Sequence, residues 1–320
     1  MPRAAQQQTI DEGSPRPYKR FANPSCYVQS WYPLIPCARL QRGSVLSHTA
    51  LGRRLALFRT NSGVASAVDA RCPHLGADLG LGTVEGERLR CAFHGWCISG
   101  HGKVEACERS RGGAETHRTY PTAEKFGLLW MFNGRQPLFE LPEIPRDQRF
   151  RLALPSQRIK CHPHLVLGNG LDLDHFDTLH GFEFTEPPKL SSVDAHRLSV
   201  ALVGRMQSLP MRILSGCTRA SIKATFTTVG ASIALVEVSA PTRFTVLFTG
   251  RPENGDCVTK TIIFLPSLNP VTVVRNLIIL VLLLHSDRKI LDRIQFHPNF
   301  TPRDALLEKY ASLVNALPTG

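Results

Sequence analysis

The chain has 320 residues, 42% of them hydrophobic and 20% charged, and a formal net charge of +12. That length suits about two domains with a sizeable buried core, and the composition excludes fibrous, low-complexity and disulfide-scaffold classes. The positive charge would suit nucleic acid, an anionic membrane surface or an acidic protein. The basic residues are dispersed, however, without a recognition motif, so no nucleic-acid partner is expected.

In chain order, residues 1–24 begin MPRAAQQQTIDEGSPRPYKR and lack the apolar core of a signal peptide. They read as a disordered lead-in to a cytoplasmic protein. The first ordered segment expected is Cys26–Leu40. Strand-like runs follow, RRLALFR at 53–59 and VASAVDA at 64–70, parted by Asn61-Ser62-Gly63.

The stretch DARCPHLGADLGLGTVEGERLRCAFHGW at 69–96 is the most informative in the chain. Cys72 and His74 form C-x-H, and Cys91 and His94 form C-x-x-H. Such a set could hold zinc or an iron–sulfur cluster, but structural zinc sites more often pair like with like. One thiolate and one imidazole per loop suits a two-iron cluster with both thiolates on one iron and both imidazoles on the other. Neutral imidazoles raise the potential of such a cluster to between about −150 and +300 mV. Gly76, Gly80 and Gly95 are expected where backbone approaches inorganic sulfide. Between the loops, TVEGERLRC reads as a hairpin, and Trp96 is expected to pack over them.

On CPHLGADLGLGTV…CAFHGW the sequence resembles the Rieske family. The proline usual after the second cysteine is Ala92 here, with the four ligand positions intact. The resemblance implies a [2Fe-2S] cluster on Cys72, His74, Cys91 and His94. The other cysteines (Cys26, Cys37, Cys97, Cys107, Cys161, Cys217 and Cys257) show no evident pairing, as in a reducing compartment. Eight arginines (Arg39, Arg42, Arg53, Arg54, Arg59, Arg71, Arg88 and Arg90) surround this region; a solvated face is the default reading, with a basic docking face for an acidic ferredoxin as the alternative. LLWMF at 128–132 closes the all-β unit, taken as residues 25–148, and Pro137, Pro142 and Pro145 mark its exit.

Residues 149–320 are expected to form a second domain. KCHPHLVLGNGLDLDHFDTLHGFEF at 160–184 carries Asn169, Asp172, His175 and His180. On a helix Asp172 and His175 share a face, but His175 and His180 point about 140° apart, so the helix must bulge or end between them. Gly181 fits a terminus. Cys161 and His164 form a further C-x-x-H, read as structural. Strand-like runs recur at 220–229, 232–240, 243–251 and 257–266, with Asn254-Gly255 as a tight-turn signal. The stretch from Val273 to Ala316 looks helical. Its LIILVLLL core at 277–284 is far shorter than a membrane span and reads as a buried helix, so no transmembrane segment is expected.

The string N-x2-D-x2-H-x4-H downstream of a Rieske motif resembles the Rieske non-haem iron oxygenases, over residues from about Trp31 to the C-terminus. This resemblance implies an all-β Rieske domain followed by an α+β catalytic domain with an antiparallel sheet gripping helices. It implies Fe(II) on His175, His180 and a C-terminal carboxylate, a facial triad that leaves positions open for O2. Asp287 is preferred, at the start of a helix after the apolar run, with Asp292 and Asp304 as alternatives. The Asp172 carboxylate is expected to orient an iron-bound histidine and to link His94 of one chain to His175 of another. That link implies a head-to-tail homo-oligomer, most often a trimer. Asn169 lies near the iron in some relatives. Electrons are expected from NAD(P)H through a separate ferredoxin or reductase. The substrate is expected to be a small, mostly apolar organic molecule, contacted by the sheet strands and by GFEFTEPPKL. Two other classes stay open: a pure electron carrier, and a ligand-binding module with a degenerate iron site.

Overall fold

The computed structural model describes residues 19–105, 116–215 and 221–320. Cys107, Cys217 and residues 1–18 lie outside them. The N-terminal unit is built from β1 (Trp31–Pro36), β2 (Val45–Ala50), β3 (Arg53–Arg59), β4 (Ala65–Asp69), β5 (Thr83–Glu85), β6 (Arg88–Arg90), β7 (Cys97–Ser99), β8 (Val104–Glu105), β9 (Thr119–Tyr120), β10 (Thr122–Lys125) and β11 (Leu128–Phe132). These form three small antiparallel sheets, ordered β1-β11-β10, β2-β3-β4-β9 and β5-β6-β7-β8. The β5–β6 hairpin is the TVEGERLRC segment, paired Thr83 to Arg90.

The second unit begins with β12 (Phe150–Ala153), β13 (Gln157–Ile159) and two short helices, α1 (Pro163–Gly168) and α2 (Asp174–Thr178). Next come β14 (Phe182–Val193), β15 (Arg197–Met206), α3 (Leu209–Ser215), β16 (Ile222–Val229), β17 (Ile233–Ala240), β18 (Phe244–Glu253) and β19 (Asp256–Leu265). The helices α4 (Pro270–Leu291) and α5 (Ala305–Ala316) end the chain. The large sheet runs β12-β19-β18-β17-β16-β15-β14, with β13 also on β19. Asn254 and Gly255 both have positive φ, 54° and 87°, and close the β18–β19 hairpin as the dipeptide predicts.

The near-continuous apolar runs of β17, β18 and β19 follow from burial on both faces. On one face Ile233, Leu235, Leu247, Ile262 and Phe264 pack with Trp31, Trp130 and Phe132 of the N-terminal unit. On the other, Val246, Ile263 and Leu265 pack against Leu277, Leu280 and Leu284 of α4. The sheet is therefore a wall between the two halves of the molecule.

Four expectations are corrected. The lead-in does not extend to residue 24, because Phe21 is 2% exposed and packs edge-on to Tyr310, and the Arg20 N–H donates to Asn315. The stretch from Val273 to Ala316 is two helices, the first ending at Leu291 and the second beginning at Ala305. The apolar run at 277–284 belongs to a helix of 22 residues, long and apolar enough by length and composition to cross a membrane. It is not a buried core helix: Val271, Val274, Val281 and Leu282 are 76%, 54%, 50% and 49% exposed.

Candidate active site

The two cysteine–histidine loops are built alike. In each, the cysteine N–H donates to the carbonyl five residues on, Cys72 to Ala77 at 2.8 Å and Cys91 to Trp96 at 2.8 Å. In each, the glycine four residues after the cysteine donates back to the cysteine carbonyl, Gly76 at 2.9 Å and Gly95 at 3.0 Å. Both glycines have positive φ, +79° and +74°, a conformation other residues rarely adopt. Gly80 differs: a Cβ there would lie 1.9 Å from the Ser47 hydroxyl, so close packing explains it.

Cys72 and Cys91 are free thiols, 3% and 2% exposed. Burial pushes the Cys72 thiol up, with the Cys91 thiol beside it as a further cause. His74 and His94 are exposed, and their Nδ1 atoms lie 3.2 Å apart. Trp96 stacks on His74 at 4.8 Å with rings 5° from parallel, and its buried Nε1–H has no acceptor among the described residues. Two thiols side by side, two facing imidazole nitrogens and an orphan donor fit a Rieske cluster and its sulfides. Zinc is a poorer match, since nothing in the loops accounts for the unused Trp96 donor.

The second set lies between α2 and α4. His175 sits in α2, which ends at Thr178, and Gly181 with φ +58° turns the chain so that His180 faces back. The helix thus ends between the two histidines. His180 Nε2 is 2.9 Å and His175 Nε2 3.8 Å from Asp287 Oδ1. The three ligand atoms lie within 4.8 Å of one another. Asp287 lies near the end of α4 rather than at a helix start, so the apolar run and the ligand belong to one continuous helix. Asp287 Oδ1 is buried with no hydrogen-bond donor among the described residues. A carboxylate oxygen and two imidazole nitrogens converging on one point fit a divalent metal of the non-haem iron type.

Each imidazole is held from behind. His175 Nδ1–H donates to the main-chain carbonyl of Asp172, not to its carboxylate as expected from sequence. His180 Nδ1 lies 3.3 Å from Ser286 Oγ, which donates to the Leu283 carbonyl and so accepts from the ring. Both contacts engage Nδ1 and leave Nε2 turned toward the site. Burial lowers the His175 pKa, keeping the ring neutral as metal binding requires. Asn169 Nδ2 lies 3.3 Å from His175 Nε2. Ser286 is the residue sequence reasoning missed; its adjacency to Asp287 was the available signal.

The alternative carboxylates are committed elsewhere. Asp292 accepts from the Lys160 N–H at 2.8 Å and pairs with Arg288 at 3.1 Å. Asp304 closes a capping box with Thr301. His164 accepts from the Ala22 N–H and stacks on Phe21, a structural role. Of the eight arginines, Arg54, Arg59 and Arg90 are paired with Asp78, Glu124 and Glu85, and Arg53 donates to Asn133.

The triad opens onto a cavity of about 280 Å³ between the large sheet and α4. Its walls are apolar, with Leu202, Phe226, Val236, Val246, Phe248 and Leu280 among them, and Gln157, Asn169, Thr259, Thr261 and Asn276 are among its uncharged polar lining. Of the GFEFTEPPKL segment only Phe182 reaches the cavity. The rest forms an edge strand whose register shifts between Phe184 and Glu186 and again before Lys189, around two prolines.

Residues 30–121 match the Rieske [2Fe-2S] domain family. The cholesterol 7-desaturase nvd of Bombyx mori is 33% identical over 164 residues, 49% of this chain and 36% of that protein. The oxygenase component of the 3-ketosteroid-9-alpha-monooxygenase of Mycolicibacterium smegmatis is 35% identical over 174 residues, 50% of this chain and 44% of that protein. The matches thus span less than half the length of these relatives. The crystal structure of dicamba monooxygenase bound to dicamba superposes with a TM-score of 0.67 at 18% identity, covering 90% of this chain and 97% of that one. Residues 30–121 are thus a Rieske domain. The chain's named homologues include desaturases and monooxygenases, which are oxidoreductases, and its two-part fold matches that of dicamba monooxygenase, one structure of which contains non-haem iron.

Proposed function

We propose that the chain is the terminal component of an oxygenase system, taking electrons of NAD(P)H origin from a separate ferredoxin or reductase and oxidising a small, mostly apolar molecule with O2. The observation that carries this is the His175–His180–Asp287 triad at the wall of an apolar cavity. In this reading Cys72, Cys91, His74 and His94 hold the cluster, and the triad holds Fe(II). When bound, the cluster supplies one-electron transfer and the ferrous ion supplies dioxygen activation.

The chain's own residues do the rest. The Asp172 carbonyl and Ser286 hydroxyl fix the two imidazoles, turning Nε2 of each toward the site. Phe226, Val236 and Leu280 give the cavity an apolar lining, which disfavours water beside the triad. Outside, Leu75 and Phe93 are 67% and 62% exposed beside His74 and His94 and offer an apolar contact to a redox partner or neighbouring subunit. The Asp172 carboxylate has no hydrogen-bond partner among the described residues, which leaves it available to His94 of another copy in a head-to-tail trimer. The sterol and steroid names of the two relatives favour an alicyclic substrate, and a cytoplasmic location fits the unpaired cysteines.

Iron content tests the assignment. The intact protein should hold about three irons per chain, two of them in the cluster. Asp287→Ala should hold about two, with the cluster's visible and EPR spectra unchanged and turnover lost. Three irons retained by the variant would move the ligand elsewhere, and two in the parent protein would favour an electron carrier or a binding module.

A further inference from the structure

Asn276 is a polar residue set into an apolar wall. It is 5% exposed and lines the cavity, yet its Nδ2 is buried with no hydrogen-bond partner among the described residues. Its helix neighbours Val273, Leu277 and Leu280 all join the apolar cluster between α4 and the sheet, where a leucine would suit the pattern equally. An unpaired buried amide is unfavourable, so the residue makes sense if a partner arrives from outside the chain.

Its position gives that partner a shape. Asn276 and Asp287 are eleven residues apart on α4, three turns and on one face, which is about 16 Å along the axis. Both line the same cavity, and between them its α4 wall is Ile279, Leu280, Leu283 and Leu284. A molecule that reaches the triad at one end and the amide at the other must be long and apolar over its middle. Rotation of the carboxamide presents either its N–H to a ketone or its oxygen to a hydroxyl.

We propose that the substrate is an elongated apolar molecule with one hydrogen-bonding oxygen, ketone or hydroxyl, remote from the carbon oxidised, and that Asn276 receives that oxygen. The oxidised end rests on the oxygenase reading above. The Asn276 subsite needs only the cavity.

The test is calorimetric titration of the metal-loaded protein with a tetracyclic 3-ketosteroid and its 3-deoxy analogue, followed by turnover with a surrogate reductase and mass analysis. The ketone should bind at least tenfold more tightly than the deoxy compound. Asn276→Leu should erase that difference by weakening the ketone alone, and Asn276→Ala should do the same if leucine perturbs the wall. Equal affinities in the parent protein, or a preference that survives both substitutions, overturns the proposal. Tight, Asn276-dependent binding without oxidation upholds the subsite and refutes the oxygenase reading. Oxidation of a single-ring aromatic compound with no binding of either steroid does the reverse.

Discussion

Asp172 and Ser286 show how little of a metal site's support is visible in residue identity. The aspartate's side chain suggested a carboxylate–histidine contact, but the main-chain carbonyl makes it. A carbonyl is present at every residue, so sequence cannot single it out. Ser286 was legible only as a neighbour of Asp287, because its contact with His180 spans 106 residues. Ser286→Ala should release the His180 ring and weaken iron binding about 10–100-fold, read by titrating ferrous iron into the metal-free protein. Asp172→Asn leaves the carbonyl in place and should keep the iron. Its coupled turnover should fall about tenfold or more if the carboxylate joins the two sites, and unchanged turnover would remove that role. The cysteine–histidine loops were legible because short fixed spacings and the glycines after them encode a local fold; Gly80 was misread because its reason, Ser47, lies far away in sequence.

At the scale of elements, the β17–β19 strands were legible from period and from the Asn254-Gly255 turn, since strands and tight turns are local. What escaped was α4. Its apolar run of eight suggested a short buried segment, while the helix extends from the Asn269 cap to Leu291. The residues that lengthen it, Thr272, Arg275, Asn276 and Arg288, are polar, and a window of apolar residues stops at them. The edge strand β14 escaped for the opposite reason: Pro187 and Pro188 argue against a strand, and only an edge position tolerates them. Within the wall, Leu247 is fully buried between β17 and β19 on the face toward the N-terminal unit. Leu247→Ala should cost about 2–5 kcal/mol of stability in a denaturant titration, from lost burial and the cavity left behind.

Over the whole molecule, buried histidines set the response to acid. Burial, and then the Arg251 guanidinium, pushes His48 down to about 4; burial pushes His162 down to about 4, and His164 lies well below its ordinary value. Below about pH 6.5 the unfolded chain takes up protons on these rings that the folded chain refuses until about pH 4. Stability is therefore full above that window and is lost as pH falls through it. The melting temperature should drop steadily from about pH 6.5 to 4, and less steeply in His48→Gln; a flat profile would mean these rings are solvated. The wall between the halves has one more consequence. Side chains alternate along β17 and β18, so Ala234, Val236, Val246 and Phe248 face the cavity while Ile233, Leu235 and Leu247 face the cluster-bearing unit. Even-numbered positions can be redrawn to suit a new molecule while the odd-numbered ones keep the junction fixed. A scaffold written this way can diversify its chemistry without renegotiating its wiring.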